Sequence, residues 1–356
     1  MNGIYTLAND KVYDQLVAFL NSIEANVGPD FPVCIIPFDD QLDQVKAEIA
    51  NRPNVTLFDD QSSINRWDEF TRKIWDLHPT AKQYWYRDHL ISDPNDYWRI
   101  TMRRKFCAFD GPFDKFVFLD ADTLVFDSLD VVFERLDDHD WVVYDFMFRQ
   151  PNQAFDLKVV RKLNLFTEEQ LSKVFCAGFF ASHKGFFDEA EMQGLLKQLG
   201  SGEITALVPR IPDQTITNYM AIRPGRSICN LAQILPAEQR AGNCVTSPHF
   251  ENVDGVLFDR GIRLTYVHFI CVTSKILTRV AQGENIYFPY RDVYLHYRFL
   301  REPEKAPQFP ADETPVYYTA LRRKNRYQPS PIPWLPTPIY QRANRVGQKV
   351  ATWFGR

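Results

Sequence analysis

The chain opens on an apolar, β-prone run, Gly3 to Leu7, followed by Asn9 and Asp10, both good helix N-caps. Val12, Leu16, Phe19, Leu20 and Ile23 come next, at intervals of three and four that predict a helix with one apolar face. A second β-prone run, Phe31 to Pro37, leads through Asp39-Asp40 into a helical stretch from Leu42 to Ala50 and a third strand from Val55 to Phe58. Strands that are apolar throughout and alternate with helices predict a parallel sheet covered on both faces, an α/β fold of the doubly wound kind. Such sheets bind ligands beyond the carboxyl ends of their strands, which puts Thr6-Leu7-Ala8, Asp39-Asp40 and Asp59-Asp60 on the ligand edge. No G-x-G-x-x-G follows the first strand and no G-x-x-x-x-G-K-[ST] occurs anywhere, which disfavours a dinucleotide dehydrogenase and a P-loop NTPase.

The fourth strand, Lys115 to Leu119, runs directly into Asp120-Ala121-Asp122 and a further apolar stretch, Leu124-Val125-Phe126. Two carboxylates at the end of a buried strand are costly unless a cation or hydrogen bonds satisfy them. A hard divalent ion, Mn²⁺ or Mg²⁺, does so while keeping coordination sites open for substrate phosphates. Upstream, Arg103-Arg104-Lys105 lies in a helix predicted from Tyr97 to Phe109; three adjacent cations point around a helix, so at most two face the site. Val174 to Phe180 reads as another buried strand, whose Gly178 permits close approach of a ligand or of backbone. Pro212-Asp213-Gln214 begins a helix, for which an N-cap role alone accounts for Asp213. Arg263 to Ile270 reads as a strand ending near His268, a core histidine or a third metal ligand.

Composition adds an asymmetry rather than a class. Net charge is −4, yet residues 321–356 hold eight Lys or Arg and no Asp or Glu, so the tail carries +8 and the body −12. A basic tail on an acidic body is a poor match to a dedicated nucleic-acid-binding domain. Nine of the 23 prolines fall between Pro303 and Pro338, marking an extended linker, after which Ile339, Ala343, Val346, Val350, Trp353 and Phe354 fall near helical spacing among Arg342, Arg345 and Lys349. That short basic amphipathic helix either attaches to an anionic membrane face or packs on the body. The six cysteines are scattered without C-x-x-C spacing and read as buried, reduced thiols. The N-terminus lacks the basic and apolar regions of a signal peptide and no apolar run is long enough to span a bilayer, so the expectation is a cytoplasmic protein, with peripheral membrane contact through 339–356 as the second possibility.

In order along the chain, YTLAND, Arg103 with Lys105, FLDADTLV, FCAGFF, DQTITN and HFIC make residues 3–275 resemble the GT-A glycosyltransferases. Within these the likeness is to family 8, the retaining hexosyltransferases related to glycogenin and to lipopolysaccharide galactosyltransferases. The resemblance implies a GT-A domain over 1–302, nucleotide-binding to about 145 and acceptor-side from about 146, then the linker 303–338 and the helix 339–356. It implies that Asp120, Asp122 and His268 hold Mn²⁺ (or Mg²⁺), that Thr6, Leu7 and Asp10 line the nucleotide pocket, and that Arg103 or Lys105 neutralises the diphosphate. Asp213 and Gln214 would lie beside the transferred sugar. The implied reaction moves a hexose from a nucleotide sugar, UDP-linked in this family, to a glycan, lipid-linked or protein acceptor with retention, the leaving phosphate serving as base and no nucleic acid taking part.

Three positions depart from the family pattern on the sugar side: Cys176 in place of Asn, Thr215 in place of Asp, and Cys271 in place of Gly. They keep open a second reading, a GT-A-like protein that binds a nucleotide sugar without turnover. A phosphatase with D-x-D-x-[TV] is disfavoured by Leu124, and a nucleotidyltransferase by the lack of a Gly-rich basic loop after the first strand.

Overall fold

The computed structural model describes residues 1–87, 98–310 and 316–317. The basic segment 339–356 and most of the Pro-rich linker lie outside the described residues, so the membrane reading of the tail has no structural counterpart. Among the described residues no helix is long and apolar enough to cross a membrane.

Twelve strands carry the part of the fold that builds the site: β1 (Asn2–Ala8), β2 (Val33–Pro37), β3 (Val55–Leu57), β4 (Lys115–Leu119), β5 (Thr123–Val125), β6 (Trp141–Val143), β7 (Phe179–His183), β8 (Ile228–Asn230), β9 (Phe250–Val253), β10 (Val256–Asp259), β11 (Ile262–Arg263) and β12 (Tyr266–His268). Seven of them form one sheet in the order β3-β2-β1-β4-β7-β6-β8. Every pairing is parallel except those of β7, which runs against both β4 and β6. This is the expected mostly parallel sheet flanked by helices.

The first 60 residues fold as their pattern predicts. The helix Tyr13–Asn26 lays Leu16, Phe19, Leu20 and Ile23 on one face of the sheet, the helix Asp43–Ile49 follows β2, and Asp60 caps the helix Gln61–Leu77 through the N–H groups of Ser62 and Ser63. Because strand side chains alternate, each central strand feeds two cores at once. Tyr5, Cys34, Ile36, Phe116, Phe118 and Trp141 point into an aromatic core with Trp67, Phe106 and Phe109, while Ile4, Val33, Ile35, Val117, Leu119 and Val142 point the other way. A third core gathers Leu124, Phe126, Val245, Leu264, Val267 and Phe269 under the C-terminal helices.

Three expectations need correction. The segment Trp98–Phe109 is helical but wound as 3₁₀, with three residues per turn. The run from Val174 to Gly178 is not strand: β7 starts at Phe179, because the backbone at Phe175 and Ala177 is held instead by side chains of the Pro212–Ile222 helix. The six thiols form no disulfide, but only Cys34, Cys107 and Cys229 are buried; Cys176, Cys244 and Cys271 are partly exposed, since they line a cavity.

Candidate metal centre and adjoining cavity

The carboxyl end of β4 is where the sheet delivers Asp120. Register pairs Tyr5 with Phe118, so the carboxyl ends of β1 and β4 reach the same edge of the sheet. The chain then turns, closed by the Thr123 N–H on the Asp120 carbonyl at 3.1 Å, and re-enters as β5. β12 pairs antiparallel with β5 and sets His268 opposite Thr123, while the Phe269 N–H bonds the Asp122 carbonyl at 2.9 Å. The two segments, far apart in sequence, are thereby zipped so that His268 Nε2 lies 3.2 Å from Asp122 Oδ1. One ligand atom from each of Asp120, Asp122 and His268 falls within 4.8 Å of the others.

The third wall is the Cys176-Ala177-Gly178 turn. Asp120 N–H donates to the Gly178 carbonyl at 3.0 Å, and a Cβ on Gly178 would stand 2.5 Å from His268 Cε1 and 2.9 Å from Asp120 Oδ2. The absence of a side chain is what lets the turn close over the cluster; the neighbours that come near are these two side chains. Gln214 pins the turn from behind, accepting from Ala177 N–H at 2.9 Å and donating to the Phe175 carbonyl. Asn218, one helical turn on, accepts from Phe175 N–H at 2.9 Å and donates to the same carbonyl at 2.8 Å. Both ends of the Gln214 amide are therefore engaged with the backbone of the turn.

Lys105 supplies the local positive charge. Its ammonium is 2% exposed and lies 3.1 Å from Asp120 Oδ1, 3.3 Å from Asp213 Oδ2 and 3.2 Å from the Ala177 carbonyl, over the ring of Phe118. Burial works against that charge, but the two carboxylates outweigh it and hold the lysine above its ordinary range. Asp213 sits in the first turn of the Pro212–Ile222 helix rather than at its N-cap, which is Ile211. Burial raises Asp120 despite Lys105, whereas in Asp122 the attraction of His268 overcomes burial and keeps the carboxyl low. The same pair lifts His268 well above the usual imidazole value against its own burial.

The remaining residues expected at the site fall around this nucleus. Thr6 is fully buried, its hydroxyl without a partner among the described residues. Leu7 packs on the aromatic core, and Asp10 accepts from the N–H groups of Asp43, Gln44 and Val45, capping that helix. Arg104 turns away to Asp68, 2.8 Å, and to the Phe38 carbonyl at the end of β2. The side chain of Arg103 lies outside the described residues.

A cavity of about 650 Å³ opens beside the cluster, with His268 and Cys176 in its wall. It contains a residue the sequence reading missed, Asp145, which is 4% exposed and accepts from the N–H groups of Met147 and Cys176 at 2.6 and 2.8 Å. Burial pushes its carboxyl up to about 6, those two donors offsetting only part. The signal was present: β6, like β4, belongs to an apolar run, Trp141 to Tyr144, that leads directly into an Asp.

Cys271 also lines the cavity, at φ +77° in a turn closed by Val272 N–H on the Phe269 carbonyl at 2.8 Å. A positive φ at the third position of a four-residue turn suits glycine, and an L side chain there costs about 1–2 kcal/mol. The Cys271→Gly variant is expected to fold at least as stably as the parent, as read by urea unfolding; a loss above about 1 kcal/mol, larger than the entropy glycine gives up, would show that the thiol itself holds the turn.

No protein-family model matches the chain and no curated protein matches its sequence. Solved structures do resemble it. The galactosyltransferase LgtC, in complex with donor and acceptor sugar analogs, aligns at 18% identity over 65% of this chain and 73% of its own, with a TM-score of 0.43. The bifunctional glycosyltransferase WbbM aligns at 15% identity over 86% of this chain and 51% of its own, TM-score 0.49. The glycosyltransferase GlyE of Streptococcus pneumoniae TIGR4 aligns at 12% identity over 88% of this chain and 65% of its own, TM-score 0.43.

Proposed function

We propose that this protein is a metal-dependent glycosyltransferase that moves a hexose from a nucleotide sugar, UDP-linked, to a hydroxyl of an acceptor, with retention. The observation that carries the reading is the convergence of Asp120, Asp122 and His268 at the carboxyl edge of the sheet. Two carboxylate oxygens and one imidazole nitrogen suit Mn²⁺ or Mg²⁺ and leave coordination positions for two phosphate oxygens. A divalent ion bound there supplies Lewis-acid stabilisation of the charge on the departing nucleoside diphosphate.

The chain's own groups do the rest. Gly178 lets the turn approach the ligand atoms, Gln214 and Asn218 keep that turn in place, and Lys105 balances Asp120 and Asp213 so that the carboxylates stay organised when no substrate is bound. Asp213 is tied to the cluster through Lys105, and in this reading it stands beside the transferred sugar. In the transfer, the bond from the anomeric carbon to the diphosphate oxygen breaks with its electron pair going to the diphosphate. The acceptor oxygen bonds to that carbon, and its proton passes to the diphosphate oxygen, which leaves protonated. The held geometry contributes by positioning the hydroxyl against the anomeric carbon.

The test is release of nucleoside diphosphate from UDP- and GDP-hexoses, with Mn²⁺, with Mg²⁺ and with EDTA, alongside melting temperatures, since a ligand bound only by the native state raises the latter. A Mn²⁺-dependent thermal shift with slow UDP release from a UDP-hexose is expected. Binding without any release, in the presence of a panel of sugar acceptors, would convert the protein into a nucleotide-sugar receptor, and no shift with any nucleotide would end the proposal.

A further inference from the structure

The cavity beside the metal cluster has a charge pattern that the transfer chemistry does not require. Its two carboxylates are turned inward and already bonded. Asp145 accepts from two backbone N–H groups, and Asp259 accepts from Gly242 N–H at 2.8 Å and from His249 Nε2 at 3.0 Å. Its guanidinium groups are not neutralised in the same way. Arg149 is exposed, stacks on the rings of Phe146 and Phe148 with its carbon 5.0 and 5.5 Å from their centroids, and pairs with no carboxylate among the described residues. Arg240 donates to the Leu235 carbonyl at 2.7 Å, which uses part of its fork and none of its charge. Arg260 is 84% exposed, its Nε 4.0 Å from Asp259. A concave wall in which the carboxylates are already hydrogen-bonded while Arg149 and Arg240 pair with no carboxylate among the described residues is suited to a sugar ring bearing an anionic group.

We propose that the acceptor seated in this cavity is a glycan carrying a negative charge, a phosphate or a carboxylate on or next to the accepting sugar, and that Arg149 and Arg240 recognise it. The inference rests on the glycosyltransferase reading, because only then does the cavity alongside the donor's metal become an acceptor seat. Arg149 is held by stacking, so its fork is pre-oriented over the Phe146 and Phe148 rings rather than free in solvent. Arg240, anchored on the Leu235 carbonyl, lines the same cavity.

The experiment is calorimetric titration of the full chain in EDTA, where the donor's metal site is silent, with glucose 6-phosphate, glucuronate and glucose as probes. At least tenfold tighter binding of the two anionic sugars than of glucose is expected, with the advantage shrinking in high salt. Arg149→Gln and Arg240→Gln should each remove most of the difference without changing Mn²⁺-dependent UDP binding, which also reports that the variants are folded. Binding of glucose 6-phosphate but not glucuronate, or the reverse, supports the proposal and identifies the anion. Equal affinity for glucose and the charged sugars, no binding of either charged sugar, or, in a parallel titration without EDTA, displacement of the bound anion by saturating UDP with Mn²⁺ would each overturn it. The last outcome would show that the arginines serve the donor's own phosphates. Retention of Mn²⁺-dependent UDP binding and release in the same preparation separates failure here from failure of the glycosyltransferase reading.

Discussion

Replacing both Asp120 and Asp122 by Asn is expected to abolish Mn²⁺-dependent nucleotide binding while the protein stays folded. Carboxamides keep the shape of the side chains and remove the two negative charges and hard anionic oxygens that a divalent ion needs. Removing groups that merely orient a metal's ligands weakens binding by roughly 10–100-fold, so losing two direct ligands should cost on the order of a hundredfold or more. Stability should change far less. Asp120 loses its ion pair with Lys105 and Asp122 its pair with His268, but Lys105 keeps Asp213 and the Ala177 carbonyl, and the mutual repulsion of two adjacent carboxylates disappears. Calorimetry with UDP and Mn²⁺ against the parent, with circular dichroism as the folding control, decides the matter. Unchanged affinity in a folded double variant would place the nucleotide somewhere other than this cluster.

Gly178→Ala should do comparable damage with a single methyl group that bears no charge. The added carbon would lie 2.5 Å from His268 Cε1 and 2.9 Å from Asp120 Oδ2, well inside contact distance. Both obstacles are side chains already held by partners: the His268 ring by Asp122 at 3.2 Å, and the Asp120 carboxylate by the buried Lys105 ammonium at 3.1 Å. Relief therefore requires the turn to back away or the ligands to part, and metal distances tolerate only about 0.2 Å. The expected result is a drop in Mn²⁺-dependent UDP affinity of about tenfold or more, with a stability loss of about 1–3 kcal/mol typical of overpacking. Gly194→Ala is the control, since that glycine lies in the helix Glu189–Gly200 with nothing near its missing Cβ, and it should hold or gain stability. Parent-like nucleotide affinity in the Gly178 variant would mean that the turn is not part of the site.

What was legible in the chain is what neighbouring residues decide among themselves. The apolar runs at Gly3 to Leu7, Phe31 to Pro37 and Lys115 to Leu119, with helical spacing between them, depend on local periodicity, and the strands β1, β2 and β4 appear there. The Asp120 and Asp122 pair was legible for the same reason, since an apolar strand that ends in two carboxylates is a local contradiction with a chemical answer. The stretch from Val174 to Gly178 was misread because its apolar character satisfies a strand pattern equally well. Its turn exists only because Gln214 and Asn218, some forty residues on, take its backbone hydrogen bonds.

Other features belonged to tertiary structure alone. Nothing in the spacing of Arg103, Arg104 and Lys105 distinguishes them, yet the packing of the 3₁₀ segment sends Lys105 between Asp120 and Asp213 and Arg104 to Asp68. His268 becomes a partner of Asp122 only when β12 pairs with β5, and the cavity with its buried carboxylates and more exposed arginines exists only once segments from Asp145 to Cys271 are folded together. The sequence by itself therefore determined the sheet's parallel half and the chemistry at the end of β4, because periodicity and burial act over a few residues. The assembly of the site was decided by tertiary structure, because it depends on which distant strands pair and which buried charges then meet.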